Sequence, residues 1–559
     1  MMQKIFSYLN KEIKGLHEAA YFLGIFTLLS QVLGLVRDKL LAHYFGASAM
    51  LDVYYASFRI PDLIFVTVSS LVAVSVLIPF LIREEKKGRE EMQKFISSIF
   101  TIFFVTILFV IAFFALFAPF FLKLLVPGIF NGEHQSILIL MTRILLLSPL
   151  LLGVSNLLSS INQARKIFIV SAISPLLYNF AIILGVIFLY PLYGLTGLVI
   201  GVVFGSLLHV AVQIPSLATC GVKLSFIKKV EWKYVKEVVK LSIPRTFTLA
   251  ANQLSMTAMF WLASFMAVGS ISILTLSFNL QSVPLAIIGV SYSLAAFPVL
   301  TRLHSEGKRN EFISHIITAG RHIIFWSIPI TVLFVVLRAQ IVRVIFGSGN
   351  FNWDNTRLTA ASLALFALSV TAQSLVLLFV RGFYSAGMTK KPLLINTVSS
   401  VLAVVFAFIG AYIFNSFQLV RDFFEILLRV SDIKGTSVLV LPLGFTLASF
   451  INVVWLWRLF EKDFWGFGKI LKQTFFQSFG ASVVMGYAVY LSLNIFSTVF
   501  DQTKLWGIFL QGFFAGIIGI FVAVIILYAL KNEEVKEISK TLHNKIWKAK
   551  MVVPEQTEL

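Results

Sequence analysis

Long apolar runs separated by short polar stretches repeat along almost the whole chain. Runs of this kind match the roughly 20 residues that an α-helix needs to cross the hydrocarbon core of a bilayer. They predict spans at 19–36, 53–82, 95–122, 135–160, 168–192, 194–217, 238–266, 270–300, 320–345, 358–386, 392–415, 441–459, 474–495 and 505–530. Only internally bonded helices or closed barrels cross lipid, and these runs are too long and too evenly apolar for barrel strands that alternate lipid-facing and lumen-facing positions. The expected fold class is therefore an all-α integral membrane protein of fourteen transmembrane helices, with two six-helix lobes around a central cavity and two further C-terminal helices.

Composition sharpens this picture. The 559 residues are 58% hydrophobic and only 13% charged, with a mean hydropathy of +0.90, where a soluble chain carries roughly a quarter charged residues. Soluble enzyme classes are excluded. The net charge of +20 comes from 46 Lys plus Arg against 26 Asp plus Glu. Most basic residues fall in the loops on the N-terminal side of the spans, among them Arg83, Lys86, Lys87, Arg89, Lys94, Arg302, Lys308, Arg309, Lys390 and Lys391. Basic residues so placed predict cytoplasmic termini and contact with anionic phospholipids, rather than nucleic acid binding. The expected location is a membrane, with both termini on its cytoplasmic side. Cys220 is the single cysteine, so no intrachain disulfide or Cys cluster supports the fold.

The expected organisation is a cytoplasmic N-terminal segment at 1–18, a six-helix lobe at 19–217, a cytoplasmic linker at 218–237, a second six-helix lobe at 238–459, helices 13–14 at 460–530 and a basic cytoplasmic tail at 531–559. The first segment is polar and mildly amphipathic, unlike a cleavable leader. Two six-helix lobes around a cavity are a transporter plan. Within the second lobe, 417–440 has apolar residues at helical spacing with Arg421, Asp422, Glu425 and Arg429 between them. It is either a helix along the membrane surface or an ordinary external loop with a helical turn.

The densest charges stand where the first two spans meet: Gln31-Val-Leu-Gly-Leu-Val-Arg-Asp-Lys39, then Asp52-Val-Tyr-Tyr-Ala-Ser-Phe-Arg-Ile-Pro-Asp62. A charge in hydrocarbon needs water or a partner. Arg37, Asp38 and Asp52 therefore either line a polar cavity, with the planar Arg37 fork matched to phosphate or carboxylate, or form an interfacial anchor. Arg59 follows Asp52 by seven residues in the same helix, two turns along the same face, and is expected to continue a charged stripe inward. Arg245 is either a cavity residue or a snorkelling cation. Gln253 and Asn279, with Asn179, Asn252, Gln281 and Asn452, are buried polar candidates or interhelical glue. Pro175, Pro284 and Pro329, with Gly205 and Gly289, are possible kinks or ordinary membrane-helix residues. No P-loop, metal-ligand cluster or Ser–His–Asp arrangement is present in the sequence, and an enzyme is not expected.

Several ordered pieces carry a resemblance: LLSQVLGLVRDKLLAHYFGA, ASFRIP, Val126-Pro-Gly, INQARKIFIVSAISPLLYN, Gln213-Ile-Pro215, Phe346-Gly-Ser-Gly-Asn-Phe351 and RGFYSAGMTKKP. Over about residues 20–530 the chain resembles the MurJ (MviN) family, flippases for the peptidoglycan precursor lipid II, within the superfamily that includes polysaccharide flippases and MATE exporters. The resemblance implies cavity roles for Arg37, Asp38 and Asp52. It also implies alternating access, drive by membrane potential with monovalent counter-ion coupling as an option, no cofactor, a lipid-tail groove at helices 13–14, and a monomer working beside cell-wall synthesis proteins. The chain departs from the family at Gln31 and Asn279, where an arginine is usual, at Phe65, Val66, Ser70 and Leu71, where arginines and an acidic-glycine pair are usual, and at Met388, where an acid is usual. Two substrate accounts follow: lipid II, or another polyprenyl-linked glycan. A non-transporting scaffold for envelope synthesis is the third, from a different class.

Overall fold

The computed structural model of the protein describes residues 16–72, 74–165 and 167–536. Most of the segments 1–18 and 531–559 lies outside the described residues, as do the side chains of Arg245 and Cys220. All secondary structure among the described residues is helical. In chain order the α-helices are α1 (Leu16–Phe45), α2 (Ala49–Ser57), α3 (Arg59–Thr67), α4 (Val74–Glu85), α5 (Arg89–Leu116), α6 (Ala118–Leu125), α7 (Pro127–Phe130), α8 (Gln135–Leu145), α9 (Leu147–Ala164), α10 (Phe168–Leu184), α11 (Tyr190–Tyr193), α12 (Leu195–Ala211) and α13 (Ile214–Cys220). They continue with α14 (Trp232–Ala263), α15 (Ser270–Pro284), α16 (Ser291–Ser305), α17 (Arg309–Val336), α18 (Arg338–Phe346), α19 (Trp353–Ala367), α20 (Val370–Ser385), α21 (Lys390–Ser416), α22 (Gln418–Leu428), α23 (Val440–Asp463), α24 (Gly468–Phe496) and α25 (Leu505–Ala529).

Among the described residues, 11 helical stretches are long and apolar enough to cross a membrane. They coincide with the third to sixth and the eighth to fourteenth predicted spans, and the protein is an all-α, multi-pass membrane protein. Of the remaining predicted spans, 19–36 lies within the 30-residue α1, 238–266 falls largely on α14, and 53–82 falls on a fragmented run between 49 and 85.

That run corrects the expectation of one unbroken helix at 53–82. It is split at Phe58 and again at a 3-10 turn, Ser69–Val72. The physical cause of the first break is Pro61, whose ring would collide with the carbonyl four residues earlier in a continuous helix. Restarting at Arg59 puts the proline in the first turn of α3, where its missing N–H is harmless. Asp52 and Arg59 thus sit on separate helices, and the single charged stripe does not form.

By internal contacts the chain divides into two compact units. The first comprises Met1–Val283, Ile345–Phe366 and Leu393–Ala448. In it α10 packs on α1 and α12, α9 on α4 and α12, and α3 on α14. The seam between α10 and α12 is made by glycines one turn apart. A Cβ at Gly201 would lie 2.8 Å from the Gly185 Cα, one at Gly205 2.8 Å from the Tyr178 carbonyl oxygen, and one at Gly197 2.2 Å from that of Leu189. Small residues at this spacing let membrane helices touch backbone to backbone. Gly201→Val is expected to destabilise the purified protein by about 1–3 kcal/mol or more, because backbone cannot yield as a side chain can. Gly480→Ala, at a site with nothing within 4 Å of the added carbon, is the control whose melting temperature should hold or rise slightly.

The second unit comprises Pro284–Val344, Ala367–Pro392 and Ser449–Leu559. Here α24 and α25 pair and pack on α17, with Met485, Val489, Leu493, Ala515 and Ala523 meeting Val332, Leu333, Val336 and Leu337. Arg321 of α17 holds the chain beyond α25 through Glu533 and Glu534. An apolar cavity of about 680 Å³ opens between α17, α20, α23 and α24; Leu375, Phe475 and Phe479 line it, along with Arg458, Glu461 and Lys472. Of the two C-terminal helices expected to shape a groove, only α24 contributes to its lining.

Two helices carry π-helical segments, Gly185–Leu189 after α10 and Leu285–Val290 after α15. The second starts directly after Pro284 and contains Gly289.

Candidate functional site

The charged cluster predicted at the end of the first span is assembled inside the first unit. Asp38, buried on α1, receives the Arg37 Nε–H at 2.9 Å and lies 2.8 Å from Arg37 Nη2. Its second carboxylate oxygen accepts from Asn279 Nδ2 of α15 at 2.8 Å. Arg37 Nη1 donates to Asn179 Oδ1 of α10 at 3.2 Å, and Asn179 Nδ2 donates in turn to Ser30 Oγ at 3.2 Å and to the Pro175 carbonyl at 3.2 Å. One polar chain therefore ties α1, α10 and α15 together in a region where unpaired charge is costly. Proline at 175 is part of it, since its carbonyl helps orient Asn179.

Asp52 has a different task. Its carboxylate accepts from the Gly269 N–H at 2.7 Å, the Ser272 N–H at 2.7 Å and the Ser272 hydroxyl at 2.6 Å. Those amides open α15 and have no helical partner of their own. A buried anion there caps the helix from another segment and meets the positive end of its dipole.

The same end of the unit is sealed by glycine-dependent contacts. Asn350 donates its backbone N–H to the His43 carbonyl at 2.9 Å and its side-chain amide to the Tyr44 carbonyl at 2.6 Å, closing the C-terminus of α1. His43 Nδ1 and Ser348 Oγ are 3.0 Å apart. Gly349, at φ +59, leaves only 2.3 Å between an added Cβ and the His43 carbonyl oxygen; Gly269, at φ +90, leaves 2.4 Å to that of Ala47. Gly128 donates its N–H to Ser264 Oγ at 3.2 Å.

Arg59 stands apart from this network. Its Nη2 is 3.1 Å from Asp62 and its guanidinium stacks 3.8 Å from the centroid of Phe260 on α14. Its buried Nε has no hydrogen-bond partner among the described residues. Gln253, on the same helix α14, is half-buried, and its carbonyl accepts from Thr257 Oγ1 at 2.8 Å. The backbone of Arg245 is helical, but its side chain lies outside the described residues. Arg37, Asp38 and Asn279 are thus brought together; Asp52, Arg59 and Gln253 have separate partners.

Sequence reading left out Ser272 and Gly269, although a glycine followed by Ser270-Ile-Ser272 at a span's start is a usable capping signal. It also gave no role to Gln213 and Asn162. Gln213 donates to Ser155 and accepts from Ser159 Oγ at 2.9 Å, while Asn162 accepts from Ser216 Oγ at 2.6 Å. They bind α9 to α12 and α13 as interhelical glue. His209 is 2.6 Å from Ser155 Oγ in the same buried set. Among the described residues no group of three or more His, Cys, Asp or Glu side chains could hold a metal ion.

Helix content and the long apolar stretches place the chain in the class of all-α, multi-pass membrane proteins. Its fold is similar to a solved inward-facing multidrug resistance MATE family transporter of the MOP superfamily, at TM-score 0.61 and 13% identity over 80% of this chain and 96% of that one. The chain belongs to the family described as Lipid II flippase MurJ, which matches residues 41–511. A solved structure titled Lipid II flippase MurJ, inward closed conformation, is similar at TM-score 0.73 and 23% identity, covering 92% of this chain and 99% of that one. A relative from Borreliella burgdorferi, named probable lipid II flippase MurJ, is 23% identical over 490 residues, 84% of this chain and 95% of the relative.

Proposed function

We propose that the protein moves lipid II from the inner to the outer leaflet of the bacterial cytoplasmic membrane by alternating access. Family membership across residues 41–511 carries this reading. In it α1, the fragmented α2–α4 and α14 complete fourteen spans, two lobes at 19–217 and 238–459 rock about the cavity, and both termini are cytoplasmic. The headgroup diphosphate is met by Arg37, whose planar fork is already oriented by Asp38 and Asn179, and by Arg59, which carries a buried donor in want of an acceptor. Arg245, Gln253 and Asn279 complete the lining. Replacing lost hydration by oriented guanidinium groups is what makes passage of a diphosphate affordable in a low-dielectric core. The polyprenyl tail follows the apolar surface of the second unit, for which the cavity beside Phe475 and Phe479 is suited.

The end sealed by Asp52, Asn350 and the glycines is then the outer gate. Opening it requires the α15 amides and the α1 carbonyls to exchange these partners for water. Membrane potential is a suitable drive: one elementary charge moved across 100 mV corresponds to about 2.3 kcal/mol, with a monovalent counter-ion as an optional companion.

A second reading rests on one observation. Asn279 stands where the family usually has a cavity arginine, and it donates to Asp38, so the cavity carries less positive charge and suits another polyprenyl-linked glycan. The test is lipid II accessibility at the outer face of cells depleted of their own flippase. Expression of this chain is expected to restore both accessibility and growth. A well-expressed, inserted protein that exposes no lipid II would remove the substrate assignment.

A further inference from the structure

The helix α22 is built inside out for a segment in water. Leu419, Phe423, Ile426 and Leu427 recur at helical spacing and are 82%, 59%, 68% and 59% exposed. The opposite face carries the polar groups toward the protein. Glu425 is buried and accepts from Thr436 Oγ1 at 2.5 Å, with Arg421 3.9 Å away. A surface helix of a soluble domain has the reverse arrangement.

The helix is also held firmly. It ends at Arg429 in the left-handed conformation, φ 61, with the Val430 N–H returning to the Glu425 carbonyl at 2.8 Å. This is the cap usually made with glycine. Arg357 of α19 grips the following turn, donating to the Arg429 carbonyl at 2.5 Å and to both oxygens of Asp432 at 2.6 and 2.5 Å. The hydrogen bonds from Arg357 hold the Asp432 carboxyl below the usual carboxylate range, which favours the charged form that the clasp uses.

Position decides the occupant of the apolar face. α22 begins two residues after α21 ends at Ser416, and the next membrane-length helix starts at Thr436. Both neighbours are membrane-length, so α22 is tethered at the hydrocarbon boundary, and its stripe continues the exposed apolar surface of Tyr412 and Phe417. We propose that α22 lies in the membrane interface with Leu419, Phe423, Ile426 and Leu427 immersed among the lipid acyl chains. It fixes the height of α21 and α23 in the bilayer. Such helices sink about 5–10 Å below the headgroups. Which leaflet receives it rests on the topology proposed above and is the outer one there; the immersion itself does not rest on transport.

The experiment uses the full chain with Cys220→Ser, reconstituted in phosphatidylethanolamine–phosphatidylglycerol vesicles. Single cysteines at Leu419, Phe423 or Ile426 are spin-labelled and compared with one at the exposed Lys434. Collision with oxygen relative to a water-soluble nickel chelate is expected to be several-fold higher at the three stripe positions. A ratio equal to that at Lys434 overturns the proposal in favour of an aqueous loop. Exclusion of both reagents with dipolar broadening overturns it in favour of a second copy. Leu419→Lys with Phe423→Lys should return the Ile426 label to the aqueous ratio; an unchanged ratio in a folded variant also overturns it.

Discussion

Arg37→Ala is expected to abolish rescue of flippase-depleted cells and exposure of lipid II while the protein still inserts. The substitution removes the fork proposed for the diphosphate, and it leaves Asp38 buried with Asn279 as its remaining partner. Breaking a buried ion pair by deleting one member destabilises by about 3–5 kcal/mol, so part of the loss will be structural. Arg37→Lys separates the two effects. A lysine keeps the positive charge beside Asp38 but offers no planar, bidentate donor pattern. Near-normal melting with transport reduced at least tenfold would assign Arg37 to substrate. Equal loss of stability and transport in both variants would assign it to the helix junction alone. The measurements are thermal melting in detergent and lipid II exposure at matched expression.

Asp52→Asn is expected to have the second large effect, acting on the proposed outer gate. The carboxylate accepts three hydrogen bonds from Gly269 and Ser272; an amide oxygen replaces one side of that grip and its NH₂ opposes an N–H donor on the other. Hydrogen bonds to a charged group contribute about 1.5–3 kcal/mol each. A net loss of about 2–3 kcal/mol from the closed form shifts its equilibrium on the order of a hundredfold. Cysteines placed near Ala47 and Ser270 should then react faster with a membrane-impermeant thiol reagent. Unchanged reactivity would reduce Asp52 to a stabilising cap without a part in gating.

The membrane class and most span positions were legible because each depends only on the length and apolarity of a local run. The break at Phe58 was not, although Pro61 announced it; hydropathy averages over the turn that a proline reorganises. Arg37 and Asp38 stood out as charges at a span's end, but their connection to Asn179 and Asn279 depends on partners 142 and 241 residues away. Asp52 was visible and its task was not, since its partners Gly269 and Ser272 lie 217 and 220 residues away and the capping signal there does not say which segment supplies the anion. For Arg59, helical spacing from Asp52 suggested a shared charged stripe, whereas packing gives Arg59 to Phe260 and Asp62.

The adjacency of Arg37 and Asp38 has a consequence for how the protein is made. During synthesis α1 leaves the insertion machinery long before Asn179 or Asn279 exists. Because its cation and anion are neighbours, Arg37 and Asp38 can pair at once, without waiting for a partner from a later helix. The later asparagines then join a pair already formed, so assembly of the site needs no step in which a lone ion waits in the hydrocarbon.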